Sequence, residues 1–401
     1  MIDNTKTRKT SNGMDKDVEE LLSRGVAEII GRKNLESRLL SREKLRVKLG
    51  IDPTSPNIHI GRAVQLWKLR AFQKLGHTAV FIIGDFTGII GDTSDKDSER
   101  PMLTKEQIES NMKNYFNQAF KILDQNKTET RHNSEWLSKL GFLELGRMAN
   151  LFGLHEFESR EVIARRLKAG QRISSQELFY PLMQGYDSVA VKADVELGGT
   201  DQRYNLLAGR RIQPLYDQEP QDIIMMDLLE GTDGRKMSSS WGNVINITDK
   251  PNDMFGKVMS VKDELVARYF ELCTEVPPEE IKEIMKSHPK DAKKRLAFEV
   301  TKIYHGKEMA EETEKSFTET FSEGGIPKNI ETIKVTQGSK IAEVLLDQDI
   351  ISSKTEWRRL VKEGAISNLE TREQIKSPDE TIFESITLKV GKHRFLRIEI
   401  F

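Results

Sequence analysis

Apolar and polar positions change period several times along the chain. Helical spacing starts near Asp17, with Val18, Leu21, Leu22, Val26, Ile29 and Ile30 recurring on one face. From Leu45 the period falls to two: Val47, Leu49 and Ile51 alternate with Arg46, Lys48 and Gly50, which predicts a strand. A loop with two prolines follows, Asp52-Pro53-Thr54-Ser55-Pro56-Asn57. Leu66, Leu69, Phe72 and Leu75 return to helical spacing until Gly76 stops the helix. Ala79-Val80-Phe81-Ile82-Ile83 is an apolar run of strand length. Strand, loop, helix and strand in this order form a βαβ unit, and such units build parallel sheets.

From Thr104 to about Gly170 the pattern predicts helices. Thr104 with Gln107 makes a capping box, and Ile108, Met112, Tyr115 and Ala119 share one stripe. Strand-like runs return at Val189–Val191 and Val195–Leu197, so the helical stretch reads as an insertion between two halves of a parallel sheet. Asn252 to about Gly324 predicts helices rich in Glu and Lys. Further on, Ile341, Val344 and Leu345 predict a short helix, and Ser353 with Glu356 caps another. Ile386, Leu388 and Val390, then Leu396, Ile398 and Ile400, predict a hairpin around Gly391-Lys392. The expected organisation is a loose tail over 1–16 and a Rossmann-like α/β domain over 17–248, its helical insertion at about 103–170. An α-helical domain over 249–330 and a small α+β domain over 331–401 follow.

Charge and composition narrow the function classes. The 401 residues carry 62 basic and 63 acidic side chains, a net charge of −1. This balance excludes a bulk polycation, so any contact with nucleic acid has to come from local patches. A single cysteine, Cys273, excludes a disulfide scaffold and a thiolate metal cluster. The most apolar run, Thr78 to Gly84, is too short to span a bilayer. No charged-then-apolar leader opens the chain. The expectation is a cytoplasmic, multidomain protein without membrane association. His77, His132, His155, His288 and His305 lack ligand spacing, and no metal site is assigned.

Three segments carry candidate chemistry. Asp52-Pro-Thr-Ser-Pro-Asn-Ile-His59-Ile60-Gly61-Arg62 joins a strand to a helix, where open α/β sheets bind ligands. The free amides and partial positive charge of a helix start suit phosphate. Thr54, His59 and Arg62 can donate to phosphate oxygens, and Gly61 lets a base or phosphate approach the backbone. Alone, such a histidine also suits capping or packing. Gly234-Arg235-Lys236-Met237-Ser238-Ser239-Ser240-Trp241-Gly242-Asn243 puts a lysine and three hydroxyls on a loop, either a polyphosphate clamp or a solvated surface turn. Tyr180, Gln184 and Asp187, at i, i+4 and i+7, share one helix face, with Leu178, Phe179, Leu182 and Met183 on the others. In a pocket these three can hold an ammonium and a phenol hydroxyl at opposite ends; in water they are an ordinary polar stripe.

Taken together, the DPTxPxxHIGx run and the later KMSxS loop resemble the class I aminoacyl-tRNA synthetases. Tyr180-x-x-x-Gln184-x-x-Asp187, followed by Gly198-Gly199-Thr200-Asp201-Gln202, resembles the tyrosyl-tRNA synthetases in particular. Gly84-Asp-Phe-Thr87-Gly-Ile-Ile-Gly91-Asp92 resembles that family's strand-end loop, whose aspartate binds the substrate ammonium. The resemblance runs from about Val26 to the C-terminus and is strongest between Leu49 and Asn243. It implies a tyrosine subsite of Thr87, Asp92, Tyr180, Gln184, Asp187 and Gln202. Asp187 accepts the phenol hydroxyl there, and Asp92, Tyr180, Gln184 and Gln202 hold the ammonium. It implies ATP contacts from Asp52, Gly61, Gly199, Asp201, Lys236 and Ser239, with Asp201 at the ribose. Thr54, His59, Arg62, Lys236, Ser238 and Ser239 then act on the phosphates. Tyrosine and ATP with Mg2+ are the implied substrates, tRNA(Tyr) the acceptor, and a homodimer joined through the insertion the implied assembly, with no structural metal.

Three departures from the family pattern stand out. Arg62 replaces the usual second histidine, Ser239 replaces the usual loop lysine, and Lys48 stands where many bacterial members have a tyrosine touching the phenol. The first two predict that phosphate-neutralising charge has moved from the loop to the helix start, with Arg235 and Lys236 still contributing. Lys48 is not assigned to the pocket. Near the end of the chain, Lys354, Arg358, Arg359 and Lys362 share one helical face. With a hairpin bearing Lys389, Lys392, His393, Arg394 and Arg397, that face resembles an S4-type RNA-binding module. Residues 249–330 become, by the same resemblance, the anticodon-region domain. Two alternatives remain: a paralogue that adenylates tyrosine for a non-tRNA acceptor, and an inactive RNA-binding protein on the same fold.

Overall fold

Each βα junction of this chain turns a change of hydrophobic period into a change of direction. A computed structural model describes residues 16–92, 102–322, 330, 332–348, 350–371, 373–391 and 394–401. The tail expected over 1–16 lies outside these but for residue 16, as do Gly324, Lys392 and His393. The chain divides into two compact units, 1–248 with 267–278, and 249–266 with 279–401.

The first unit is built on a six-stranded sheet in the order β1-β6-β5-β2-β3-β4. Its strands are β1 (Val26–Ile30), β2 (Arg46–Ile51), β3 (Thr78–Ile83), β4 (Thr128–His132), β5 (Val195–Gly199) and β6 (Asp222–Met226). β2 to β6 run parallel and β1 lies antiparallel to β6. The expected βαβ unit is β2, the helix Ile60–Lys74 and β3, with Leu66, Leu69 and Phe72 buried beneath the helix. Gly76, at φ +94°, adopts the left-handed backbone that lets the chain turn from this helix into β3.

Four expectations need correction. The run from Val26 to Ile30 is a strand, because Gly25 at φ +66° ends the helix over 16–23 and restarts the chain in extended form. The stretch from Thr104 to Gly170 is interrupted by β4, whose residues Thr-Glu-Thr-Arg-His are all polar. Among the described residues β4 pairs only with β3, at the sheet's edge, where no apolar alternation is demanded. Met112 and Tyr115 fall on separate helices, Lys105–Met112 and Tyr115–Ala119, although the Thr104–Gln107 capping box is present. Val189–Val191 ends the helix Gln176–Val191, which stops where Lys192 turns left-handed at φ 49°. Burial on both sides of that last turn makes its short apolar run look like a strand.

The second unit contains the helices Pro251–Met259, Pro289–His305 and Lys307–Ser322 and a four-stranded sheet. The sheet joins β7 (Thr332–Val335), β8 (Ile366–Asn368), β9 (Ile386–Val390) and β10 (Arg394–Ile400) in the order β7-β10-β9-β8. β9 and β10 form the expected antiparallel pair. The predicted helices Ile341–Asp347 and Lys354–Lys362 are both present, and the Ser353 side chain caps the second by accepting from the Glu356 amide. Trp357, Leu360 and Val361 bury one face of it, while Lys354, Arg358, Arg359 and Lys362 stay exposed. Arg394 turns inward, bonding the Ile350 carbonyl and Glu356 at 3.0 Å, so this hairpin cation braces the small sheet.

Candidate active site

The order of strands reverses between β2 and β5, and a cavity of about 240 Å³ is lined there by residues of β2, β3 and β5 and the loops that follow them. It gathers Asp52, Thr54, His59, Gly61 and Arg62 from the first motif, with Thr87 and Asp92 from the loop after β3. Tyr180, Gln184 and Asp187 come from the helix Gln176–Val191, Asp201 and Gln202 from the turn after β5, and Lys236, Ser238 and Ser239 from the lysine loop. Gly199 is the exception. Its neighbour Gly198 reaches the wall, whereas Gly199 does not, and a Cβ on Gly199 would collide with the lining residues Asp201 at 2.6 Å and Leu228 at 2.9 Å.

Side chains from the insertion hold the proline loop by its backbone. Asn111 donates to the Pro53 carbonyl at 2.9 Å, Tyr115 to Ser55 at 2.7 Å and Gln118 to Pro56 at 2.9 Å, while Gln118 accepts from the Ile58 amide at 2.8 Å. Backbone groups that no helix or sheet could pair are thereby satisfied. His59 caps the helix Ile60–Lys74, its Nδ1 accepting from the Arg62 amide at 3.3 Å. Burial, with the charges of Arg62 and Lys236, pushes its pKa down to about 3. The ring is therefore neutral, and because Nδ1 accepts, its proton sits on Nε2. The capping role and the cavity role coexist in one residue.

Arg62 reaches Thr54 Oγ1 at 3.0 Å, Tyr115 Oη at 3.2 Å and the Asp52 carbonyl at 3.4 Å. It lines the cavity and braces its rim at once. Lys236 pairs with Asp201 at 2.6 Å, and Ser239 Oγ lies 3.4 Å from Ser55 Oγ. Asn243 holds the base of the loop by accepting from the Ser238 amide at 2.9 Å. Arg235 corrects an expectation: it lies over the Trp241 ring at 4.8 Å, pairs with Asp233 at 2.6 Å and is absent from the cavity wall.

At the other end, Asp187 accepts from Trp136 Nε1 at 2.8 Å and Asn133 Nδ2 at 3.3 Å. Burial pushes its pKa up to about 7, against the pull of Lys48 and these two donors. Tyr180 donates to Asp52 at 2.9 Å, as Thr87 does at 2.7 Å, so the proline loop, the loop after β3 and the pocket helix meet on one carboxylate. Burial raises the Tyr180 phenol well above its usual range and keeps it a donor. Gln202 donates to Asp92 at 2.6 Å.

Sequence reasoning left Lys48 outside the pocket, and the structure corrects this. Lys48 lines it and pairs with Glu196 at 2.9 Å, each side chain only 1% exposed. Glu196 and Asn133 were missed as well. Inward alternation on a strand was the available signal for Lys48 and Glu196, but their pairing depends on the register of β2 against β5, which no local pattern carries. Asn133 follows the polar edge strand, itself unread. Among the described residues no group of three or more His, Cys, Asp or Glu could hold a metal ion, and no helix is long and apolar enough to cross a membrane.

The family described as tRNA synthetases class I (W and Y) matches residues 40–322. A tyrosine–tRNA ligase of Thermotoga maritima is 45% identical over 387 residues, 94% of this chain and 96% of that protein. One from Carboxydothermus hydrogenoformans is 47% identical over 397 residues, covering 94% and 97%. Among solved structures, a truncated mitochondrial tyrosyl-tRNA synthetase of Aspergillus nidulans superposes with a TM-score of 0.66 at 21% identity, over 79% of this chain and 99% of that one. The tyrosyl-tRNA synthetase of Archaeoglobus fulgidus complexed with L-tyrosine gives 0.61 at 21% identity, over 75% and 99%. At these identities the structures speak for the fold.

Proposed function

The chain belongs to the tyrosine–tRNA ligase family of the class I tRNA synthetases, and from that premise we propose that it activates L-tyrosine with MgATP and passes tyrosyl to the 3′-terminal adenosine of tRNA(Tyr). One observation carries the reading: a buried carboxylate acceptor at Asp187 and a phosphate-suited rim at Thr54, His59 and Lys236 border a single cavity. Tyrosine's carboxylate attacks the α-phosphate, forming tyrosyl-adenylate and releasing pyrophosphate. A hydroxyl of the tRNA terminus then attacks the acyl carbon and AMP leaves. Neither step needs a covalent enzyme intermediate, so the residues work by positioning and by stabilising charge.

In this reading Asp187 accepts the phenol hydroxyl, and a phenylalanine would leave that buried acceptor unpaired. Asp92, Tyr180, Gln184 and Gln202 take the ammonium, with Thr87 supporting them. Asp201 meets the ribose, while Asp52 and Gly61 lie under the nucleotide. Neutral His59 offers its Nε2 proton to a phosphate oxygen, beside Thr54, Arg62 and the hydroxyls of Ser238 and Ser239. Lys236 reaches the phosphates by leaving Asp201, a partly exposed ion pair whose loss costs about 1 kcal/mol or less.

The assembly follows the same reading. Phe142, Leu143 and Leu154, on helices of the insertion, are 90%, 80% and 61% exposed, which supports a second copy of the chain as their cover. Residues 249–330 serve as the anticodon-region domain and 331–401 as an S4-like domain, with Lys354, Arg358, Arg359 and Lys362 on tRNA phosphates in the cytoplasm. The deciding experiment is tyrosine-dependent exchange of labelled pyrophosphate into ATP, with phenylalanine and tryptophan as controls, followed by charging of tRNA. Folded protein that binds tyrosine yet exchanges nothing would leave an RNA-binding role in its place.

A further inference from the structure

Beneath the pocket helix, in the cavity wall, lies a polar cluster whose Lys48 and Glu196 have no role in the reading above. Lys48 on β2 and Glu196 on β5 are cross-strand neighbours. An ammonium has three protons to donate. Those of Lys48 face Glu196 Oε1 at 2.9 Å, Ser188 Oγ at 2.8 Å and the Gln184 carbonyl at 2.8 Å. The lysine is thus spent inside the protein and has nothing left for a ligand. Glu196 accepts from Gln184 Nε2 at 3.1 Å through Oε1, alongside Lys48, and from Ser188 Oγ at 3.2 Å and Gln221 Nε2 through Oε2.

A side-chain amide can present either end to a neighbour, and the two orientations differ in what they show the pocket. A carboxylate paired with an ammonium is acceptor-only, so it takes the NH2 end of Gln184 and refuses the carbonyl. Among the described residues, no donor reaches Gln184 Oε1, and Gln184 lines the cavity. We propose that the Lys48–Glu196 pair is a positioning device that locks the Gln184 amide with its carbonyl oxygen toward the pocket, making it an acceptor for the substrate's α-ammonium. The proposal rests on the tyrosine subsite assigned above. It explains why an ion pair is kept at a place where two neutral residues of similar volume would be cheaper to bury: a neutral partner accepts as well as donates, and leaves the amide free to flip.

The test separates loss of the ammonium contact from general damage. Dissociation constants for tyrosine and for its desamino analogue, 3-(4-hydroxyphenyl)propionate, are measured by calorimetry on the full chain, on Glu196→Gln, and on the charge-neutral pair Lys48→Met/Glu196→Gln. Removing an acceptor from a charged donor is worth roughly 10- to 100-fold. The preference for tyrosine over the analogue is expected to fall by that factor in both variants, while affinity for the analogue changes by less than about threefold. Should the single variant not fold, the charge-neutral pair carries the same comparison. Variants that weaken both ligands in equal proportion, or that keep the full preference, overturn the proposal. An unaltered chain with no preference for tyrosine would overturn the ammonium subsite itself, and the positioning role with it.

Discussion

Arg62→Ala tests whether the cation at the helix start works on the reaction or only on the fold. The guanidinium holds three groups, of which Thr54 Oγ1 at 3.0 Å is well placed and Tyr115 Oη at 3.2 Å and the Asp52 carbonyl at 3.4 Å are weaker. A good hydrogen bond from a charged donor contributes about 1.5–3 kcal/mol and each weaker one about 0.5 kcal/mol. The loss of about 2.5–4 kcal/mol loosens Thr54 and, in the proposed reading, removes a charge beside the phosphates. If all of it appears in the transition state, the adenylation rate falls by roughly 10²- to 10³-fold. In the proposed reading tyrosine is held by Asp187, Gln184 and Asp92, none of which Arg62 touches, so its Kd should change by less than about threefold. Single-turnover formation of tyrosyl-adenylate gives the rate, and tyrosine titration gives the affinity. Arg62→Lys restores the charge but cannot span three acceptors, so it should recover only part of the rate. Full recovery by lysine would assign the whole effect to charge. An unchanged rate in Arg62→Ala, or equal losses in rate and affinity, would refute the reasoning.

Three further outcomes follow from the same geometry. His59 is held neutral, its pKa near 3 against 6.5 when unfolded, so the unfolded chain binds more protons between these values and stability falls as pH drops below about 6.5. His59→Asn, which keeps a cap, should flatten that slope in urea melts at pH 5 and 7, and an unaltered slope would contradict the assignment. Asp187, pushed up to about 7 with Lys48 and Glu196 nearby, loses its charge as pH falls through 7, so tyrosine affinity should weaken between pH 8 and 6. Asp187→Asn should abolish this trend and much of the discrimination against phenylalanine, read by pyrophosphate exchange with both amino acids. Finally, Arg358→Ala/Lys362→Ala should lower the slope of log K against log salt for tRNA binding by about 1 to 2, since each neutralised phosphate contributes about 0.7 to 0.9; an unchanged slope would remove that face from the RNA.

How far the chain could be read follows from the range of the interactions involved. The capping box at Thr104, the Ser353 cap, the helix stopped at Gly76 and the strand at β2 are set by neighbours within four residues and appear as expected, although buried Lys48 breaks the expected alternation along β2. The two phosphate-suited loops and the Tyr180, Gln184, Asp187 face were legible for the same reason: each chemistry is carried by residues close in sequence. Their meeting in one cavity was not a local property and became expected only through resemblance to a family. What tertiary structure alone decided are the pairings across the sheet. β4 is polar because an edge strand needs no apolar alternation, and Val26–Ile30 becomes a strand because β6 offers an open edge. The burial of Lys48 against Glu196 exists only in the register of β2 with β5. A lysine on a strand is by itself a solvated side chain. It becomes part of a pocket floor when a carboxylate far along the chain arrives opposite it, and that arrival is settled by packing of the whole sheet.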